Sequence, residues 1–497
     1  MKTRIACIAL ASVLSVPAAA GDLPESFIPG SYMVQSNGEA GLEVLLAAIE
    51  ELTPDPSAIV VTPLLPESNI YHIVVPEVSS LVGDQIGQEI RDLTNTDTLI
   101  WSEEDSYVMH DSDNEGQSGS LWVSGLGLNS AQYAKQYAFN QLNTDAAHLA
   151  SQGEGVSIAV LDTRPDLLHT QIKSVLKIID LVDTGNGEDE KNLTGNGLDE
   201  DGDGYIDESL GHGTFVTALI QSVAPRAGVL SIVVLNDDGI GSAATLALGI
   251  TIAVNEGAHV ISLSLGSEIE SIAVSSVIDY AIESGVTVFA SVGNTGSWGC
   301  LYPARHPGVI GVGASDYDME LGAISSFHDE MDVVCPGVSN LIINGTNDDR
   351  LVIGPTRGTE YVAGNGTSFS TAFAAGAGAL VRAQLINLEA SQLTIGQISN
   401  RVSKRLKQSP ITVEIPNDSG QMRSVVDAGD AITYADPVPE DSDINGDGVS
   451  DGADLALVLG KWGLSFGSGS LHREDIKRDG VVDGQDLAKL LGGWGSP

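Results

Sequence analysis

GNGTSFSTAFAAG, residues 364–376, decides how the rest of the chain is read, because a glycine-framed turn there opens a helix of small residues. Gly364 and Gly366 let the backbone turn tightly, and the run from Phe369 to Leu380 is rich in Ala and other apolar residues. Such a helix puts Ser368 at its amino end, inside the positive end of the dipole. A serine there commonly serves as a cap, so its chemistry depends on what else the fold brings to it. SIAVLDTRPD, residues 157–166, reads as a short apolar strand ending on Asp162, the usual location of a site in an open α/β sheet. GHGTFVTA, residues 211–218, sets His212 between two glycines at the start of an apolar helical run.

Acid, base and hydroxyl in that order, on a strand end and two helix starts, form a serine-hydrolase arrangement. At these residues the chain resembles the subtilisin-like serine peptidases. The resemblance implies that Asp162 orients, His212 is the general base and Ser368 the nucleophile. It likewise makes Asn294, in FASVGNTG, the side-chain donor of the oxyanion hole. Ser264, Leu265 and Gly266, in VISLSLGS, match the strand that pairs with the peptide before the scissile bond. Ser291, Val292 and Gly293 would line the first pocket with them, and Ala243 and Leu246 a pocket farther up the peptide. CPGV at 335–338 and VVDAGDAI at 425–432 extend the likeness, which covers roughly residues 133–434. The family normally has glycine two residues after the aspartate, where this chain has Arg164. Thr217, Ala218 and Ala372 are further departures, small or affecting only the first turn of a helix.

The fold expected is α/β, a mostly parallel subtilisin-like sheet covered by helices. Strands at 228–236, 260–265 and 286–291 alternate with helices at 242–256 and 272–284, which argues for a parallel sheet covered on both faces. Residues 21–110 read as a separate small α+β unit. Strands are expected at 31–34, 71–75, 98–101 and 107–109, and helices at 40–52 and 78–93. Its place before a peptidase domain resembles an inhibitory propeptide. Residues 111–132 form a connector beginning with the polar run DSDNEGQSGS, so the mature enzyme is expected to begin between Asp111 and Tyr133.

Residues 1–20 have the parts of a secretory signal: Lys2 and Arg4, an apolar stretch, and Ala18 to Ala20. A secreted or extracellular protein is expected, with no transmembrane segment after signal removal. Its formal charge of -44 repels nucleic acid and anionic lipid and suits cation binding. After the signal only Cys300 and Cys335 remain, too few for a disulfide scaffold, and they are either bridged or separately buried.

Two acidic regions suggest calcium. In DEDGDGYIDES, residues 199–209, Asp199, Asp201, Asp203 and Asp207 surround Gly204 at loop positions 1, 3, 5 and 9, and Leu210 replaces the closing glutamate. The tail contains an internal repeat. DINGDGVSDGAD at 443–454 offers Asp443, Asn445, Asp447, Asp451 and Asp454. DIKRDGVVDGQD at 475–486 offers Asp475, Asp479, Asp483 and Asp486, with Lys477 at the third position. This resembles a type I dockerin pair, which implies a helical calcium-loop module at 443–497 beyond a linker at 435–442. The same resemblance implies a cohesin-like or cell-surface partner. Leu455, Leu459, Trp462, Leu487, Leu490 and Trp494 are expected to pack the two repeats together.

The function these readings favour is a secreted serine endopeptidase, synthesised as a zymogen, that acts on polypeptides through an acyl-enzyme and is supported by Ca2+. The alternative is a non-catalytic calcium-dependent surface or binding protein that retains the fold.

Overall fold

The computed structural model describes residues 27–53, 55–75, 80–109, 122–173, 175–182, 197, 206–339, 350–389, 395–416, 421–434, 452–460, 462–463 and 482–492. The signal segment, the linker, most of the acidic insertion and most of both tail loops lie outside the described residues.

The amino-terminal unit runs β1 (Phe27–Ser36), α1 (Gly38–Leu52), β2 (Val60–Leu65), β3 (Ile70–Val74), α2 (Ser80–Leu93) and β4 (Leu99–Met109). Its antiparallel sheet has the order β2-β3-β1-β4. Leu42, Leu45 and Ile49 from α1 and Ile86 and Ile90 from α2 bury one face with Tyr32, Val34 and Ile73. Two short strands were expected in the last part, at 98–101 and 107–109. One long strand forms instead, because β4 is ordered by β1 along its first half and by the next domain at its end. Strand β2, absent from the sequence reading, carries Pro63 and pairs only with β3, at the outer edge where proline is tolerated.

The central domain continues with β5 (Trp122–Val123), α3 (Ser130–Tyr133), α4 (Tyr137–Gln141), α5 (Thr144–His148), β6 (Ser157–Asp162) and β7 (Val175–Asp180). Next come α6 (His212–Val223), β8 (Gly228–Val233), β9 (Ile240–Ser242), α7 (Ala243–Asn255), β10 (Val260–Leu263), α8 (Ile272–Glu283), β11 (Thr287–Ser291), β12 (Ile310–Ser315) and β13 (Met331–Pro336). The hairpin β14 (Val352–Pro355) and β15 (Tyr361–Gly364) leads into α9 (Thr367–Glu389) and α10 (Ile395–Leu406). The domain closes with β16 (Thr412–Glu414), β17 (Met422–Val425) and α11 (Ala428–Thr433).

Nine strands order as β16-β17-β13-β12-β11-β10-β6-β8-β7, all parallel except the β16–β17 pair. β10, β11 and β12 are buried at every position, as a sheet covered on both faces requires. α6 and α9 pack together against one face, with Phe215, Phe369 and Phe373 at the centre of that core, while α7 and α8 share the core on the other face. Thr367–Asn387 of α9 is long and apolar enough to cross a membrane, but it is 89% buried and is the central core helix. β6 lies between β8 and β10 in the sheet, and the chain passes from the β8 side to the β10 side there, so the strand order reverses and opens a crevice at its carboxyl end.

The tail contributes α12 (Gly452–Gly460) and α13 (Gly484–Gly492), whose core is Val458, Val482 and Leu490 with Leu455 beside them. Leu459 and Trp462, expected in that core, are instead 52% and 46% exposed. The helices bury Val458, three residues on from Leu455, and so turn Leu459 outward. Trp494 lies outside the described residues.

Candidate active site

Asp162 is the last residue of β6, at the crevice, and His212 is the first residue of α6. The histidine enters the helix through Gly211, whose φ of 102° is the left-handed conformation that favours glycine. A Cβ on the following Gly213 would stand 2.0 Å from the Thr163 carbonyl oxygen, so only glycine lets the helix start lie against the acid strand. The result is a hydrogen bond of 2.8 Å between His212 Nδ1 and Asp162 Oδ1, with both side chains buried. The Thr163 amide donates to the same Asp162 oxygen at 2.7 Å, and Thr163 Oγ1 accepts from the Gly213 amide at 2.9 Å. Thr163 therefore holds the acid and the histidine's helix together, and its place directly after Asp162 was the signal for it.

Ser368 is the second residue of α9. Its carbonyl accepts a hydrogen bond from Ser264 Oγ at 3.0 Å, and its own hydroxyl points to the Ser264 carbonyl at 3.4 Å. Asn294, just past β11, accepts at Oδ1 from the Thr367 amide (2.7 Å) and Thr367 Oγ1 (3.1 Å). An amide oxygen so engaged turns the Nδ2 donor the other way. A Cβ built on Gly366 would meet Asn294 Nδ2 at 3.6 Å and the Ser368 amide nitrogen at 3.7 Å, so both donors border the same small space. That space suits an oxyanion. Thr367, directly before Ser368, was the residue the sequence reading missed here.

Ser264, Leu265, Ser291 and Val292 are buried, as are Ala243 and Leu246 on α7, which share an apolar cluster with Leu265 and Val292. Gly293 is tied to it by its amide, which donates to Thr367 Oγ1 at 3.3 Å. Leu301 closes the space between the two pocket segments. Its amide donates to the Val292 carbonyl at 3.0 Å, and its Cβ would lie 2.7 Å from a Cβ on Gly266. Arg164, which stands where the family has glycine, pairs its guanidinium with Asp180 at the end of β7, at 2.9 Å.

The end of β4 already lies in the cleft. Met109 and Gly266 exchange both backbone hydrogen bonds, each 3.0 Å, and Tyr107, Val108 and Met109 pair antiparallel with Ser242, Gly241 and Ile240. Val108 is buried in the same apolar cluster as Ala243, Leu246 and Leu265. Two carboxylates anchor this strand. Glu103 accepts from Ser271 Oγ and the Ile272 and Ala273 amides at the start of α8, each at 2.8 Å. Asp105 accepts from the Ala244 amide at the start of α7 (3.0 Å) and from Ser31 Oγ (3.0 Å), and Ser31 Oγ lies 2.7 Å from His72 Nε2. Burial lifts the Glu103 carboxyl and raises Asp105 to about 6, and it lowers His72 to about 4.

Cys300 and Cys335 are both buried thiols, and burial pushes the Cys335 thiol up. The bridge left open by the sequence is not formed.

Among the described residues no group of three or more His, Cys, Asp or Glu side chains is arranged to hold a metal ion. Asp199, Asp201 and Asp203 lie outside the described residues. Asp207 accepts from the Gly197 amide at 3.2 and 3.3 Å, and its own amide donates to Asp238 Oδ1 at 2.7 Å. Asp237 and Asp238 are buried close by. Carboxylates such as Asp207 and Asp238 have the donor chemistry for a hard cation such as Ca2+, though the described residues alone form no metal-holding group. In the tail, Asp454 and Asp486 are fully buried at the starts of α12 and α13, and Asp486 Oδ2 accepts from the Asp483 amide at 2.9 Å. These buried carboxylates fit the closing ligands of calcium loops. Asp443, Asn445, Asp447, Asp451, Asp475 and Asp479 lie outside the described residues.

Over its central domain the chain is similar to known proteins. The model of the subtilase family matches residues 153–409. Subtilisin DY of Bacillus licheniformis is 31% identical over 265 residues, spanning 51% of this chain and 84% of that protein. Subtilisin BL of Lederbergia lenta is 31% identical over 260 residues, spanning 50% and 83%. Among solved structures, that of the prenylagaramide maturation protease PagA aligns with a TM-score of 0.46 at 21% identity, covering 58% of this chain and 96% of that one.

Proposed function

This chain belongs to the subtilase family of serine peptidases, and on that premise we propose that it is a secreted serine endopeptidase held as a zymogen by its own amino-terminal unit. The observation that carries the catalytic reading is the buried 2.8 Å bond between His212 Nδ1 and Asp162 Oδ1, which leaves Nε2 as the face offered to Ser368. His212 takes the Ser368 proton as the hydroxyl attacks a peptide carbonyl, and Asp162 stabilises the imidazolium that forms. The oxyanion accepts from Asn294 Nδ2 and the Ser368 amide. His212 then gives the proton to the leaving amine, and water releases the acyl-enzyme by the same route in reverse.

Substrate adds as a strand between β9 and residues 264–266, the place β4 occupies. No charged side chain was found among the pocket residues, Leu301 closes the space between them, and Arg164 is neutralised by Asp180, so uncharged or apolar residues before the scissile bond are favoured. The amino-terminal unit lies across the cleft as a substrate would, and a cut beyond Met109, at 111–132, releases it. Ca2+ would be held by the acids at 199–207, with Asp237 and Asp238 beside them, and in the tail by the two repeat loops. Bound there, it neutralises mutually repelling carboxylates and orders the approach to His212. The tail would dock to a cohesin-like or cell-surface partner.

Casein or peptide turnover by purified wild type, absent in Ser368→Ala of the same fold, tests the proposal. Equal turnover by the two would overturn it.

A further inference from the structure

We propose that β5 occupies the leaving-group side of the cleft, as β4 occupies the acyl side, so that the processed enzyme keeps a strand of its own where the second half of a peptide binds; this rests on the serine-peptidase reading above. β4 sets the direction of the chain through the site. It pairs antiparallel with Gly266 at Met109, so its chain heads from Gly266 toward Ser264, which is hydrogen-bonded to Ser368. A peptide continuing that way passes Ser368 and brings its leaving amine to His212, the group that protonates it. The leaving half therefore runs out on the His212 side.

The β14–β15 hairpin stands on that side. Thr356, directly after β14, lies against the start of α6, where a Cβ on Gly211 would be 3.0 Å from its Cβ. β15 ends at Gly364, and only Asn365 and Gly366 separate it from the helix that carries Ser368. One edge of β15 pairs with β14 and the other with β5, in the order β14-β15-β5. Trp122 is opposite Gly364 and Val123 opposite Ala363, antiparallel. β5 thus begins at the end of β15 nearest Ser368 in the chain and runs away from it. That is the direction of a leaving half, whose first residue is the one beside the cut. β4 and β5 are consecutive strands, one heading into the site and the next heading out. A cut between them gives β4 to the amino-terminal unit and β5 to the enzyme.

Departure of the unit does not carry β5 away, because β5 is tethered to the central domain. Leu128 packs on the central core, and Asn129 Oδ1 accepts from the Ala131 and Gln132 amides at the start of α3. Gly125 and Gly127, with φ of 73° and 66°, turn the chain between these anchors and the strand. So short a tether makes β5 an intramolecular competitor at high effective concentration. Its two residues of pairing are few, so an extended peptide displaces it. The competition falls on peptides with several residues beyond the scissile bond, and on KM rather than kcat.

The test uses the full-length protein after processing, with KM and kcat measured on two substrates. One is a quenched fluorescent peptide with six residues beyond the scissile bond; the other is a peptide nitroanilide with none. Trp122→Pro/Val123→Pro, which removes both strand amides, should lower KM for the long peptide about tenfold with kcat within about twofold, and leave the nitroanilide unchanged. A synthetic peptide of residues 112–126 added to this variant should restore the higher KM competitively. Trp122→Gly/Val123→Gly should show the same split at smaller size, and decides the matter if the proline variant does not fold. Equal KM for the long peptide in wild type and the variant that folds, or equal changes on both substrates, would overturn the inference. So would a processed wild type whose amino terminus lies beyond Val123. A wild type that turns over neither substrate would instead sink the peptidase reading beneath it.

Discussion

The two units attached to the central domain use their polar groups in opposite ways. The amino-terminal unit turns them outward: Glu103 and Asp105 satisfy the starts of α8 and α7, and β4 gives its last backbone groups to β9 and Gly266. The tail turns its acids inward, with Asp454 and Asp486 buried at the starts of its own two helices and a small core between them. The first completes another domain's surface, and the second buries carboxylates within itself. From this difference, removing the first should change what the catalytic site does, and removing the second should leave that site alone.

The largest effect expected is from Ser368→Ala, which should lower peptide turnover by about 10⁴-fold or more and leave residues 27–109 uncut, while the tail is unaffected. Mass spectrometry of wild type and variant reads this directly; the same long amino terminus on both, with wild type fully active, would break the comparison. Asn294→Ala should cost about 3 kcal/mol of transition-state stabilisation, read as a fall in kcat with weak residual activity. Chelation comes next and should lower both melting temperature and turnover. Deleting residues 440–497 should lower neither by much, whereas Asp201→Ala should reproduce much of the chelator's effect. An enzyme with the same melting temperature and turnover in calcium and in chelator would remove the ion from the central domain. The smallest effect is at the docking contacts. In the Ser368→Ala background, Glu103→Gln and Asp105→Asn should each weaken a helix-start contact by about 1 kcal/mol, seen as several-fold faster hydrogen exchange along β4.

Much of the candidate site was legible because the residues proposed for catalysis sit on local signals. Asp162 ends an apolar strand, His212 lies between glycines, and Ser368 follows a glycine turn, so each could be placed from its own neighbours. What escaped depends on contacts between distant segments. Thr367 orients Asn294 from 73 positions away, and Leu301 meets the pocket segments through a backbone bond to Val292 and packing against Gly266. Arg164 could not be paired from the sequence because its partner, Asp180, lies 16 residues on, at the end of a strand that the sequence pattern does not mark. β4 was split in two for the same reason, since the partners of its last three residues belong to another domain. In the tail, periodicity marked the helices, but their apolar residues exceed what so small a core can cover, and Leu459 and Trp462 are left on the outside.

The central claim is that Ser368 is an activated nucleophile reached only once the amino-terminal unit has left the cleft. Stoichiometric labelling with a serine-reactive fluorophosphonate, followed by peptide mapping, measures this directly. The account predicts one label per chain, on Ser368, in protein that has lost residues 27–109, and none in the Ser368→Ala variant. A processed, folded protein that takes no label, or takes it at another serine, would contradict it.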